Sequence, residues 1–170
     1  MKIGEKLPDF PVVRADRTTT KTRIVFDASA KFRGKSFNSE ALSGLKVQAD
    51  MFSILVRFRK ELVVLVSDLV KQYHQLVLTL EDRPLQRFLW RNLDRSKEPE
   101  VYEFLRYMLG GWHCRFCAQY VWQKNADDHK AEYLLAAEVV KNSCYMDDLM
   151  RSVETVEAAK EVRQQLTSEA

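Results

Sequence analysis

Between Gln48 and Lys60, apolar side chains fall at Met51, Phe52, Ile54, Leu55, Val56 and Phe58, and their mixed steps of three and four predict a helix. The period then changes. Leu62 to Val66 is an unbroken apolar run of strand length that leads through Ser67 to Asp68, the pattern of a central strand covered on both faces. Arg23 to Ala28, β-branched and aromatic, predicts an earlier strand preceded by Lys21, and Lys31 to Gly44, with small polar residues around two glycines, predicts a loop. After a short Leu69 to His74 segment, three more strands are predicted at Gln75 to Leu80, Leu85 to Trp90 and Val101 to Tyr107. Turns at Asp82-Arg83-Pro84 and Lys97-Glu98-Pro99 separate them. Gly110-Gly111 breaks the chain, and Phe116 to Ala126 and Ala131 to Lys141 predict helices. Ser143 to Met146 predicts a short strand, Asp147-Asp148 a tight turn and Leu149 to Val153 the returning strand. Glu154 to Leu166 predicts an amphipathic helix whose acidic start suits its dipole. The sum is an α+β chain with strands paired mostly through hairpins, helices on one face and no internal repeat.

Composition narrows the class. The 170 residues are 46% hydrophobic and 30% charged, enough for a globular core, and five Gly and four Pro exclude fibrous and low-complexity chains. The longest purely apolar runs, Leu62 to Val66 and Tyr133 to Ala137, are far short of the roughly 20 residues of a bilayer span. Met1 to Phe10 lacks the apolar segment of a secretion signal, so a cytoplasmic or nuclear protein without membrane partners is expected. Three cysteines do not make a disulfide framework and suit a reducing compartment. The net charge of +3 conceals an asymmetry: residues 1 to 60 hold 13 Lys and Arg against 6 Asp and Glu, and the rest hold 14 against 18. A basic front and an acidic back fit a protein that grips a polyanion with one part and holds cations with another; an unevenly charged solvated surface is the plainer account.

Three carboxylates carry the chemistry. Asp68 ends a strand expected to be buried, and Asp147-Asp148 lies at a hairpin tip some 80 residues on. Carboxylates so placed are expensive to desolvate unless they meet a cation or strong donors. Mg²⁺ takes oxygen ligands and is commonly held by one or two carboxylates together with substrate phosphates. If the two elements are neighbours, Asp68 and Asp147 converge across strands about 4.8 Å apart, and two ions about 3.5 to 4 Å apart clamp both oxygens of a phosphoryl transfer. Each acid also has a purely structural account: Asp68 as a helix cap, Asp-Asp as ordinary turn chemistry.

Tyr145-Met146-Asp147-Asp148 within an apolar strand, preceded by an apolar strand ending in Asp68, resembles the palm of a reverse transcriptase. Lys21-Thr22-Arg23-Ile24-Val25-Phe26-Asp27-Ala28-Ser29-Ala30-Lys31, Tyr73-His74-Gln75, Arg87-Phe88-Leu89-Trp90 and Phe116-Cys117-Ala118 are similar, in order and spacing, to the BEL/Pao class of long-terminal-repeat retrotransposons, over residues 8 to 165. The resemblance implies an antiparallel palm backed by helices, with residues 1 to 20 an extension or linker, 21 to 60 partial fingers and 61 to 170 the palm. It implies an RNA-directed DNA polymerase that joins a deoxynucleoside triphosphate to a primer 3′-hydroxyl on an RNA or DNA template. By the same resemblance Asp68 and Asp147 hold two Mg²⁺, or Mn²⁺ in their place, and Asp148 is the second, more peripheral acid. Tyr73 matches the aromatic that excludes a 2′-hydroxyl, the group that distinguishes RNA from DNA. Arg23 and Lys21 match cations that bind the triphosphate. Gly110 matches the glycine that lets the backbone approach template and nucleotide. Taken alone, these residues read as a core tyrosine, solubilising strand cations and a turn.

Two features depart from the family pattern. Cys114-Arg115 stands where the family shows Ser-Pro, exchanging a rigid ring for a long charged side chain. Only 22 residues follow Asp148, so a fragment is expected, without thumb, ribonuclease H or integrase segments, which would then be its partners. The alternative is a decayed copy that no longer catalyses and binds nucleic acid weakly. A third reading, zinc, draws on His113, Cys114, Cys117, His129 and Cys144, but lacks the second paired knuckle that a structural zinc site commonly has.

Overall fold

The computed structural model describes residues 6–14, 16, 22–92 and 94–168. Among the described residues the chain forms mixed α and β structure in which the paired strands are antiparallel, apart from a single parallel bridge between Leu7 and Phe88. It divides into two compact units, residues 1–44 with 73–114 and residues 45–72 with 115–170. Among the described residues, no helix is long and apolar enough to cross a membrane.

In the first unit, strands β1 (Asp9–Val13) and β2 (Thr22–Phe26) pair from Asp9 opposite Phe26 to Val13 opposite Thr22. β1 lies within the stretch expected to be linker; its strand-forming Phe10, Val12 and Val13 explain why. Likewise the expected loop after β2 contains a short helix, α1 (Phe37–Glu40), set by a capping box in which Ser36 and Ser39 satisfy each other's backbone N–H. β4 (Arg87–Trp90) and β5 (Glu100–Glu103) form a second ladder, pinned by the Arg87–Glu103 ion pair. The strand expected at Gln75 to Leu80 shrinks to a single bridge between Val77 and Arg106, and Pro84 lies in a 3-10 turn over Arg83–Leu85. Rings fill the centre: Phe26 lies edge-on to Phe88 at 5.1 Å and to Phe104 at 4.7 Å, next to buried Leu7, Ala28 and Met108.

The second unit is a three-stranded sheet with helices. Its order is β3 (Val63–Asp68), β7 (Asp148–Val153), β6 (Cys144–Tyr145). Leu65 and Leu149 point to one face, where they pack with Val139 of α5 (Leu134–Ser143), Val162 of α6 (Val156–Ser168) and Trp122 of α4 (Trp112–Asp128). α4 starts at Trp112, four residues before the predicted Phe116. α2 (Met51–Phe58) is capped by Asp50, which accepts from the Ser53 N–H at 2.8 Å, and is tied to β7 where Ser152 Oγ donates to the Arg57 carbonyl at 2.7 Å.

β3 corrects one expectation. It is a strand, but an edge strand covered on one face, so Val64 and Val66 are 54% and 66% exposed; Leu62, just before it, is 96% exposed. An antiparallel sheet can leave one face to solvent, and an apolar run alone cannot distinguish that from full burial.

Replacing Ile54, fully buried and the one buried residue of α2, by Ala is expected to lower unfolding free energy by about 2–4 kcal/mol in urea denaturation. Burial pushes the Cys144 thiol up to about 12 from its ordinary 9.0. The folded state therefore favours the neutral thiol: this contribution to stability is complete below pH 9 and is lost as pH rises toward 12, so denaturation midpoints across that range should fall more steeply for the native chain than for Cys144→Ala.

Candidate metal centre

Pairing of β3 with β7 builds the site. The register runs from Val63 opposite Val153 to Asp68 opposite Asp148, so two acids face each other across the last pair of the ladder. Their face also carries Val64, Val66 and Met150 and lies opposite the Leu65–Leu149 face packed on α5 and α6. Asp147 enters from the turn joining β6 to β7, whose last pair is Tyr145 with Asp148. Carboxylate oxygens of Asp68, Asp147 and Asp148 all lie within 4.8 Å of one another. This is the one group of three or more His, Cys, Asp or Glu side chains within shared reach of an ion among the described residues.

The sequence anticipated desolvated acids; all three are exposed. What distinguishes the cluster is crowding of like charge, not burial. Three carboxylates converging on one spot form an arrangement whose negative charge a cation would neutralise. Three oxygen donors suit a hard divalent ion such as Mg²⁺ or Mn²⁺, which keeps several waters and needs few protein ligands.

The turn is held from outside. Met146 has φ +55, left-handed for a residue with a side chain, at a cost of order 1–3 kcal/mol. Its carbonyl oxygen accepts from Gln72 Nε2 at 3.0 Å and from Gln119 Nε2 at 2.7 Å. Gln72, on α3 (Gln72–Gln75), is 6% exposed and Gln119, on α4, is 5% exposed. Two such bonds, each contributing about 1 kcal/mol, offset the backbone strain. The next carbonyl, that of Asp147, accepts from the Leu69 N–H at 2.7 Å.

Sequence reading missed both glutamines. A signal existed for one: Gln119 lies three residues after Phe116 and three before Trp122, a polar side chain on the apolar stripe of its helix. Gln72, beside Tyr73 in a four-residue helix, offered none.

The remaining candidates belong to the first unit. Arg23 is exposed on β2, and Tyr73 is half-buried at the unit's edge in sequence. Lys21 lies outside the described residues. Gly110 has φ +121, its carbonyl accepts from Asn38 Nδ2 at 3.4 Å, and a Cβ there would stand 2.8 Å from the Phe26 carbonyl oxygen. Only glycine fits, for a structural reason independent of substrate.

Two of the zinc candidates, Cys114 and His113, stand 3.9 Å apart (Sγ to Nε2) and are also held by other groups. Cys114 is buried with its thiol donating to the Met108 carbonyl at 3.1 Å. His113 packs between Phe37 and Tyr107 at ring distances of 5.2 and 5.7 Å, and burial holds its imidazole below the usual range. Arg115 is exposed in the first turn of α4.

No protein-family model matches the chain, and no curated protein is significantly similar to it.

Gly110→Ala is expected to destabilise the protein by about 2 kcal/mol or more, since both its backbone conformation and the Phe26 carbonyl oppose a methyl group; thermal unfolding monitored by circular dichroism measures it.

Proposed function

We propose that the chain is the fingers-and-palm portion of a BEL/Pao-type retrotransposon reverse transcriptase, an RNA-directed DNA polymerase. One observation carries the reading: Asp68, at the end of β3, and Asp147 and Asp148, 79 and 80 positions later at the β6–β7 turn and the start of β7, present carboxylate oxygens within 4.8 Å of one another. In the order and spacing of the family words, these are the acids that hold the catalytic ions.

Asp68 and Asp147 would hold two Mg²⁺, with Asp148 adding negative charge beside them. Bound there, the ions supply Lewis-acid activation of the primer 3′-hydroxyl and neutralise the charge that develops on the triphosphate. The protein's own residues bind and orient. By the resemblance, Arg23 and Lys21 would be the triphosphate-binding cations, a role in which a guanidinium fork suits phosphate oxygens. By the same resemblance, Tyr73 would set the sugar by its ring and Gly110 is the glycine beside template and nucleotide, although its lack of a Cβ is already required by the Phe26 carbonyl.

The purified chain should extend a DNA primer on an RNA template in the presence of Mg²⁺. Asp147→Asn should reduce incorporation at least about a thousandfold, equivalent to about 4 kcal/mol in the barrier. Salt-sensitive binding of RNA–DNA duplex without incorporation would reject the polymerase and leave a nucleic-acid-binding remnant, consistent with Arg115 in place of the family's proline.

A further inference from the structure

We propose that Gln72 and Gln119 are positioning residues for the metal centre: amides on two different helices that fix the peptide plane from which Asp147 faces Asp68 and Asp148. The inference rests on the reading of the three acids as metal ligands.

The hairpin does not specify its own turn. Two-residue connections favour glycine or asparagine where φ is positive, yet the first turn residue here is Met146 at φ +55. Something other than local preference must hold that conformation, and the two amides meet the need. A carbonyl oxygen has two lone pairs, and that of Met146 receives one N–H from each glutamine, at 3.0 and 2.7 Å. Because a peptide unit is planar, fixing this carbonyl also fixes the Asp147 N–H and its bond to Cα. The following peptide is fixed in turn by the Leu69 N–H on the Asp147 carbonyl. Asp147 therefore sits between two pinned peptide planes, which sets the direction of its Cα–Cβ bond.

Side chains supply the pin on one side and backbone on the other. Only the first can be removed by a substitution that leaves the backbone itself unchanged. Gln72 directly precedes Tyr73 and Gln119 lies in mid-helix; 47 positions apart, they are brought to one oxygen by the packing of their unit. Buried glutamine on an apolar helix face is expensive unless its hydrogen bonds are made, so loss of the shared acceptor would be felt by both.

The test uses the full chain and Mn²⁺ as probe, with free Mn²⁺ read by electron paramagnetic resonance. Asp147→Asn sets the affinity of a broken site. Gln119→Met and Gln72→Met keep length and remove the donor; each is expected to weaken Mn²⁺ binding about tenfold while the circular dichroism spectrum is retained. A role limited to stability would lower the melting temperature and leave the affinity of the folded protein unchanged, and that result overturns the inference. Should either Met variant lose its fold, the Asn variant at that position, which keeps the amide but withdraws it by one methylene, is read by the same criteria. If the unmodified chain binds Mn²⁺ no better than Asp147→Asn, it is the metal-site reading that fails.

Discussion

The antiparallel ladder between β3 and β7 is the constraint on which the candidate site depends. Its six residue pairs bring Asp68 opposite Asp148 at one end, and the same alternation sends Leu65 and Leu149 into the helical layer. A slip of one residue would turn the apolar face outward and carry Asp68 off the shared face. Burial of Leu65 and Leu149 against Val139 and Val162 therefore does more than stabilise the unit; it fixes the register that assembles the acids.

An assembled cluster of like charges works against the fold that builds it. Three exposed carboxylates within 4.8 Å repel one another, and they stand beside a methionine in a left-handed conformation. Locally unfavourable choices of this sort persist where surrounding structure over-determines them. Here the surroundings are identifiable: two buried amides on the Met146 carbonyl and one backbone N–H on that of Asp147. Strain and its support occur at the same few residues, which is the distribution expected where geometry serves binding.

Most elements were legible because their patterns are local. α2, α5, α6 and the β6–β7 hairpin follow from apolar spacing and turn chemistry, and the helix period at Met51 to Phe58 carries directly into structure. Misreadings arose where the pattern was ambiguous about its surroundings. Leu62 to Val66 predicts burial on both faces, whereas the sheet leaves Val64 and Val66 open. Asp9–Val13, bracketed by polar residues, concealed a strand whose Phe10, Val12 and Val13 suit the ladder it forms with β2. Ser36 and Ser39, unremarkable in a polar segment, close a reciprocal cap that turns loop into helix.

The amino-acid order by itself determined which residues are acids, which segments alternate or run apolar, and that an Asp-Asp pair would fall at a turn, because each depends on neighbours within a few positions. It did not determine that the acids are exposed, that Asp148 and not Asp147 stands opposite Asp68 in the ladder, or that two distant glutamines share one carbonyl. Those are relations between segments as many as 80 positions apart, fixed by strand register and helix packing, and they come into existence only when the chain has closed its core.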